Sequence, residues 1–270
     1  MKTSAIVQVP IVAGYELMKY VRGRRLPGML VLLGLIIGLI LGLPPLLGIG
    51  FPSAPNEFVS SFAGFSSLLA VLCGVLFASD ALASEFEKRT AYFLFPNPVR
   101  RETIVVGKLA ASLAASGLVV TTYYAAATAS AFAITGGVTW EIFLSYTYTL
   151  AYMVSIVGVA YFISAWMKGT VSATVLTFFL FTLVFNIVQA VLLVSDVEPW
   201  FLPSTAAGII GNVLSPNAGP GGGFGGGPGG GGAFQTFVPE VSTSLLLFAA
   251  YFVAFSVAAI MRFKRRELVS

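Results

Sequence analysis

Read from its first residue, the chain alternates long apolar runs with short polar connections. The runs fall at Leu26–Gly50, Phe58–Ser79, Val105–Ile134, Ile142–Trp166, Val171–Val194 and Val241–Met261. Each supplies the roughly 20 apolar residues that a helix needs to cross the hydrocarbon of a bilayer. The pattern predicts an all-α integral membrane protein with six transmembrane helices (26–50, 58–79, 105–134, 142–166, 171–194 and 241–261). The first run is too long for a signal-peptide core and follows a basic cluster, so it reads as a retained span. Ahead of it, Ile11, Tyr15, Met18 and Arg22 step by three or four residues. Residues 11–25 therefore read as an amphipathic helix lying on a membrane surface.

Composition sharpens this picture. The 270 residues are 57% hydrophobic and only 10% charged, whereas a soluble chain carries about 25% charged residues. Six spans use most of the length, so residues 1–270 read as a single transmembrane domain with no folded soluble part. There is no histidine and a single cysteine, Cys73, in an apolar run. Histidine metal sites and histidine bases are thereby excluded, as is an internal disulfide.

Charge gives an orientation. With the N-terminus inside, all 15 lysines and arginines fall on inside segments, and the outside loops carry only Glu57, Glu141, Asp196, Glu198 and Glu240. Short basic loops stay cytoplasmic, so both termini are expected in the cytoplasm. The net charge of +4 then belongs to a membrane surface and not to nucleic acid. Trp140 and Trp166 bracket the fourth span and Trp200 follows the fifth, the places of headgroup-level anchors.

Two connections stand out. The outer loop 195–240 contains a glycine-rich stretch, 219–232, whose ordering entropy nothing offsets, and it is expected to be flexible. Before it, Pro199–Leu214 suggests a short helix started by Ser204 or Thr205. That helix lies at the outer interface or re-enters the membrane, the interfacial position being favoured. The cytoplasmic loop 80–104 begins in a helical pattern with Glu85 and Arg89 four apart. Pro96 and Pro98 end that pattern, leaving Tyr92, Phe93 and Phe95 between two charged stretches. The loop is either a solvated connection or a docking surface for a soluble partner.

The chain has no nucleotide site of its own. A P-loop needs glycines around phosphate followed by Lys and Ser/Thr. The only Gly-Lys pair, Gly107–Lys108, is followed by Leu109 and has no glycine five residues earlier.

The loop, with Glu85-x-x-x-Arg89-Thr90, an aromatic turn, Pro98-x-Arg100-Arg101 and Gly107-Lys108, resembles that of ABC-2 type transporter permeases. The segment from Tyr15 to Arg25 is similar to that family's interfacial helix. The resemblance implies a permease subunit that dimerises with a second copy or homologue. It further implies two separate ATPase subunits carrying ATP and Mg, with no cofactor in this chain and no enzymatic activity of its own. Residues 80–104 would be the coupling loop, with Glu85, Glu87, Lys88, Arg89, Tyr92, Phe93, Phe95, Arg100 and Arg101 at the contact.

Within the spans, hydroxyl and amide side chains gather on the third, fourth and fifth. Such groups commonly bond helix to helix in lipid. Tyr123, Tyr124, Tyr148, Tyr152, Asn186 and Gln189 are candidates for the translocation path or the dimer seam. No charged residue lies near the centre of a span, which speaks against an ion-coupled carrier. The expected function is the membrane-spanning permease of an ATP-driven exporter in the cell membrane. The alternatives are a non-transporting scaffold or assembly protein and, behind it, an ATP-independent carrier or channel.

Overall fold

The structure, a computed structural model, describes residues 5–87, 101–195, 197–215 and 240–265. Among these residues every regular element is helical. Helix α1 (Ala5–Arg22) precedes α2 (Arg25–Leu46), and α3 (Pro55–Cys73) continues through a π-turn at Gly74–Ala78. A short α4 (Ala83–Glu87) is followed by the long α5 (Arg101–Thr135) and α6 (Trp140–Trp166). The fifth span is α7 (Thr170–Phe179), a second π-turn (Leu180–Val184) and α8 (Phe185–Val194). Two four-residue helices, α9 (Pro203–Ala206) and α10 (Ile209–Asn212), lead to α11 (Val241–Arg265).

Six of the described helical stretches are long and apolar enough to cross a membrane: Arg25–Leu46, Pro55–Glu85, Glu102–Thr135, Trp140–Trp166, Thr170–Val194 and Val241–Phe263. They follow the six runs of the sequence, shifted by a few residues at the ends. The second, third and fourth have 61%, 61% and 72% of their apolar windows buried, against 17%, 11% and 22% for the first, fifth and sixth. Thus α3, α5 and α6 form the centre, and the others present most of their apolar surface outward. Lipid tails are as apolar as leucine, so that exposure carries no penalty in a bilayer.

Helix α11 runs beside α6 in the same direction. Tyr152 meets Phe248, Phe162 meets Phe255, and the Arg262 guanidinium lies 5.6 Å from the centre of the Trp166 ring. Between these contacts Gly158 faces the backbone of Phe252, where an added Cβ would stand 3.0 Å from its Cα. The absence of a side chain at Gly158 is what lets the two helices approach. Close approach at small residues is how helices associate without a hydrophobic driving force.

Two expectations change here. The segment from Leu202 to Leu214 forms two short helices in place of one and packs onto the bundle: Leu202, Pro203, Thr205, Ala206, Ile209, Ile210 and Leu214 are buried. The carbonyl of Ile210 accepts a hydrogen bond from Ser145 (2.8 Å), on the second turn of α6. Proline at the first position starts α9, with no side-chain cap from Ser204 or Thr205. The surface helix before the first span extends over Ala5–Arg22 instead of 11–25. Ile11, Tyr15 and Met18, the apolar stripe, are exposed, while Glu16 and Tyr20 are buried against the bundle. It ends where Arg24 adopts a left-handed conformation (φ 62°), which costs a non-glycine residue about 1–2 kcal/mol. The glycine-rich stretch 219–232 lies outside the described residues.

Candidate functional site

The end of the second span is where the structure concentrates polar chemistry. A helix terminus leaves its last carbonyls without intrahelical donors, and side chains from three other elements cover them here. The π-turn closes with the Ser79 amide on the Gly74 carbonyl (3.0 Å). Ser79 Oγ then donates to the carbonyl of Val75 (2.5 Å) and Arg25 to that of Leu76 (3.3 Å). Tyr20 and Ser112 both donate to the carbonyl of Phe77, each at 2.7 Å. Lys108 Nζ reaches the carbonyl of Ala81 (3.2 Å). Cations suit this place, because the C-terminal end of a helix carries partial negative charge.

Two ion pairs complete the cluster. Arg25 grips Asp80 through both carboxylate oxygens, at 2.7 and 2.5 Å. Lys108, whose side chain is 4% exposed, stands between Glu16 (3.1 Å) and Glu85 (2.7 Å). Glu16 also holds Lys19 at 2.7 Å. Burial, with Glu16 adding to it, pushes the Tyr20 phenol well above its ordinary pKa, so it stays a hydrogen-bond donor. A buried ammonium is retained at tolerable cost only when it is paired and fully hydrogen-bonded, and Lys108 has three oxygen partners.

The loop beyond is tied down from α6 and onto α7. Ser164 Oγ accepts from the amides of Leu82 and Ala83 (2.9 and 3.1 Å). Glu87 accepts from the Thr170 amide (2.6 Å), placing a carboxylate at the positive end of α7. Ser164→Ala strands two buried amides and is expected to cost about 1–3 kcal/mol. Thermal unfolding of purified protein beside a Ser172→Ala control measures that loss.

Of the residues expected at a partner contact, Glu85 is turned onto Lys108, inside the cluster and not on a docking face. Glu87 is exposed and holds the start of α7. Arg101 opens α5. Lys88, Arg89, Tyr92, Phe93, Phe95 and Arg100 lie outside the described residues.

The candidates within the spans separate into two groups. Tyr123, Tyr124, Tyr148 and Tyr152 are buried in the chain's own bundle. The Tyr124 hydroxyl contacts Ser66, Ser145 and Thr149 at 3.0, 2.9 and 2.8 Å, and Tyr123 donates to the carbonyl of Phe62 (2.8 Å). Asn186 turns back on its own span, donating to the carbonyls of Phe181 and Thr182 (3.2 and 3.0 Å) at the second π-turn. Gln189 is half-buried one turn further along.

The residues the sequence reading missed are Glu16, Tyr20, Arg25, Asp80 and Ser164. One signal was present: a lysine inside a long apolar helix costs about 2.5–3.5 kcal/mol on insertion scales. Lys108 therefore called for an acidic partner.

This cluster and the bundle around it fall largely within one family match. The model of a family described as a protein of unknown function, DUF2705, matches residues 46–269, well over half of the chain. The chain belongs to the DUF2705 family. The match takes in Asp80, Glu85, Lys108 and Ser164, whereas Glu16, Tyr20 and Arg25 precede it. No curated protein matches the chain.

Proposed function

We propose that this chain is the membrane-spanning permease subunit of an ATP-binding cassette transporter of the exporting kind, resident in the cell membrane. It works as a dimer with two separate ATPase subunits that carry ATP and Mg. Both termini lie in the cytoplasm, because the basic residues gather at the end of the bundle that bears α1 and the loop after the second span.

The observation that carries this reading is the ion cluster. Lys108 of α5 binds Glu16 of α1 and Glu85 of α4 at once. Glu87 and Ser164 extend the linkage to α7 and α6. A push on residues 88–100 is thereby delivered to five elements together, which is what a loop seated on a motor subunit requires. Polar networks of this kind act as a unit.

The test is co-purification with an ATP-binding cassette ATPase subunit co-expressed from the same source. The wild-type protein is expected to retain the ATPase, and the triple change Tyr92→Ala, Phe93→Ala, Phe95→Ala to release it. If association and substrate-stimulated ATP hydrolysis survive the triple change, the loop is not the coupling element.

A further inference from the structure

A groove of about 660 Å³ opens on the flank of the bundle between α5 and α6. Its volume is that of a small-molecule site, and it lies at the opposite end of these helices from the ion cluster. The floor is made by Tyr124, Ala125, Thr128 and Ala129, small residues apart from the buried tyrosine. Phe132 and Phe143 form its exposed rims, at 64% and 52% exposure.

The polar groups of this wall are engaged within the chain. Thr121 donates to the carbonyl of Gly117 and pairs with the Tyr146 hydroxyl (2.9 Å). Thr128 donates to the carbonyl of Tyr124, and Thr139 to Asn56. The Tyr124 hydroxyl is surrounded by Ser66, Ser145 and Thr149. What the groove offers an occupant is carbon: methyls of alanine and threonine and the edges of aromatic rings. A polar solute would lose its water there without gaining a partner.

The length of the groove selects the occupant. From Thr121 to Phe132 is 11 steps along α5, about 16 Å at 1.5 Å per residue. One leaflet of hydrocarbon is about 15 Å, half of the usual thickness. The groove thus runs from the middle of the third span to its end, over a single leaflet. At that end Trp140 is 66% exposed, with its ring 4.9 Å from that of Phe143, and exposed tryptophans sit at headgroup level.

We infer that this groove holds one acyl chain of a membrane lipid from the leaflet at the Trp140 end, retained more tightly than the surrounding bilayer. The inference rests on the membrane-spanning fold and is independent of any ATPase partner.

The experiment uses the full chain in nanodiscs of phosphatidylcholine and phosphatidylglycerol, doped with a lipid carrying a diazirine midway along one acyl chain. Wild-type protein is expected to be labelled within residues 121–146 at least 3-fold above the exposed surface of residues 170–194. Ala129→Trp fills the floor and is expected to bring the two into equality, whereas Val253→Trp, on the outer face of α11, leaves the preference intact. Phe132→Ala with Phe143→Ala, which removes the rims without adding bulk, is expected to lower labelling as well; it serves should Ala129→Trp fail to fold. Labelling that is uniform in the wild type, or indifferent to both groove variants, overturns the inference. So does efficient disulfide formation between two copies through Thr128→Cys, which would put a second copy in the groove.

Discussion

Replacing Lys108 by methionine is expected to destabilise the protein by about 3 kcal/mol or more, the lower part of the range for breaking a buried ion pair from one side. The ammonium lies between Glu16 and Glu85 and its side chain is 4% exposed. Methionine fills a similar volume but brings the two carboxylates together without the charge that reconciles them. Lys19 still neutralises part of Glu16, from a position 42% exposed, and this keeps the expected loss near the bottom of the range. The decisive comparison is the triple variant Glu16→Gln, Lys108→Met, Glu85→Gln. Amides need no cation, so thermal unfolding in detergent should show most of the loss regained. If Lys108→Met unfolds at the wild-type temperature, the pairing contributes nothing and the cluster cannot transmit force.

Gly158→Val tests the opposite side of the bundle, and its effect is expected to rival that of Lys108→Met. Its Cβ would lie 3.0 Å from Cα and 3.3 Å from the carbonyl oxygen of Phe252. Backbone atoms cannot rotate out of the way, so α6 and α11 must separate along their contact. Overpacking a close contact costs about 1–3 kcal/mol and occasionally more. Gly74→Ala makes a useful contrast, because its Cβ would meet Ile156 Cγ2 at 2.5 Å, a side-chain methyl. Trimming that neighbour with Ile156→Ala should rescue Gly74→Ala and do nothing for Gly158→Val. The yield of monodisperse protein and the unfolding temperature read out both.

What could be read from the sequence follows from what the bilayer constrains. Length and hydropathy locate the six spans to within a few residues at most of their ends, because a crossing helix has a fixed minimum length. The buried face of α1 was harder. In water an apolar stripe such as Ile11, Tyr15 and Met18 would turn towards the protein. Beside lipid it is free to turn outward, and the buried face goes to Glu16 and Tyr20, which need partners. Hydropathy likewise gave no sign that the segment 203–214 packs onto the bundle, since apolar residues suit an interface and a bundle interior equally well. Asn186 and Gln189 looked like a pair on one face, yet Asn186 serves carbonyls exposed by a π-turn that leaves no mark in the spacing of residues. The partners of Lys108 lie 92 and 23 positions away along the chain, beyond the reach of local pattern.

The π-turn at Gly74–Ala78 gives the second span two phases. Five residues there occupy what an α-helix would fill with about four, so the helix beyond it is rotated by up to about 100° from a straight continuation. Before the turn, Phe62 and Ser66 address Tyr123 and Tyr124 of α5. After it, Phe77 addresses Tyr20 and Ser112, and Asp80 addresses Arg25. A single span thereby speaks to the hydroxyl network in the bundle and to the ion cluster at its end with two independent settings. Winding the same five residues as plain α-helix would advance everything beyond by one position and put Ser79 where Arg25 now finds its carboxylate.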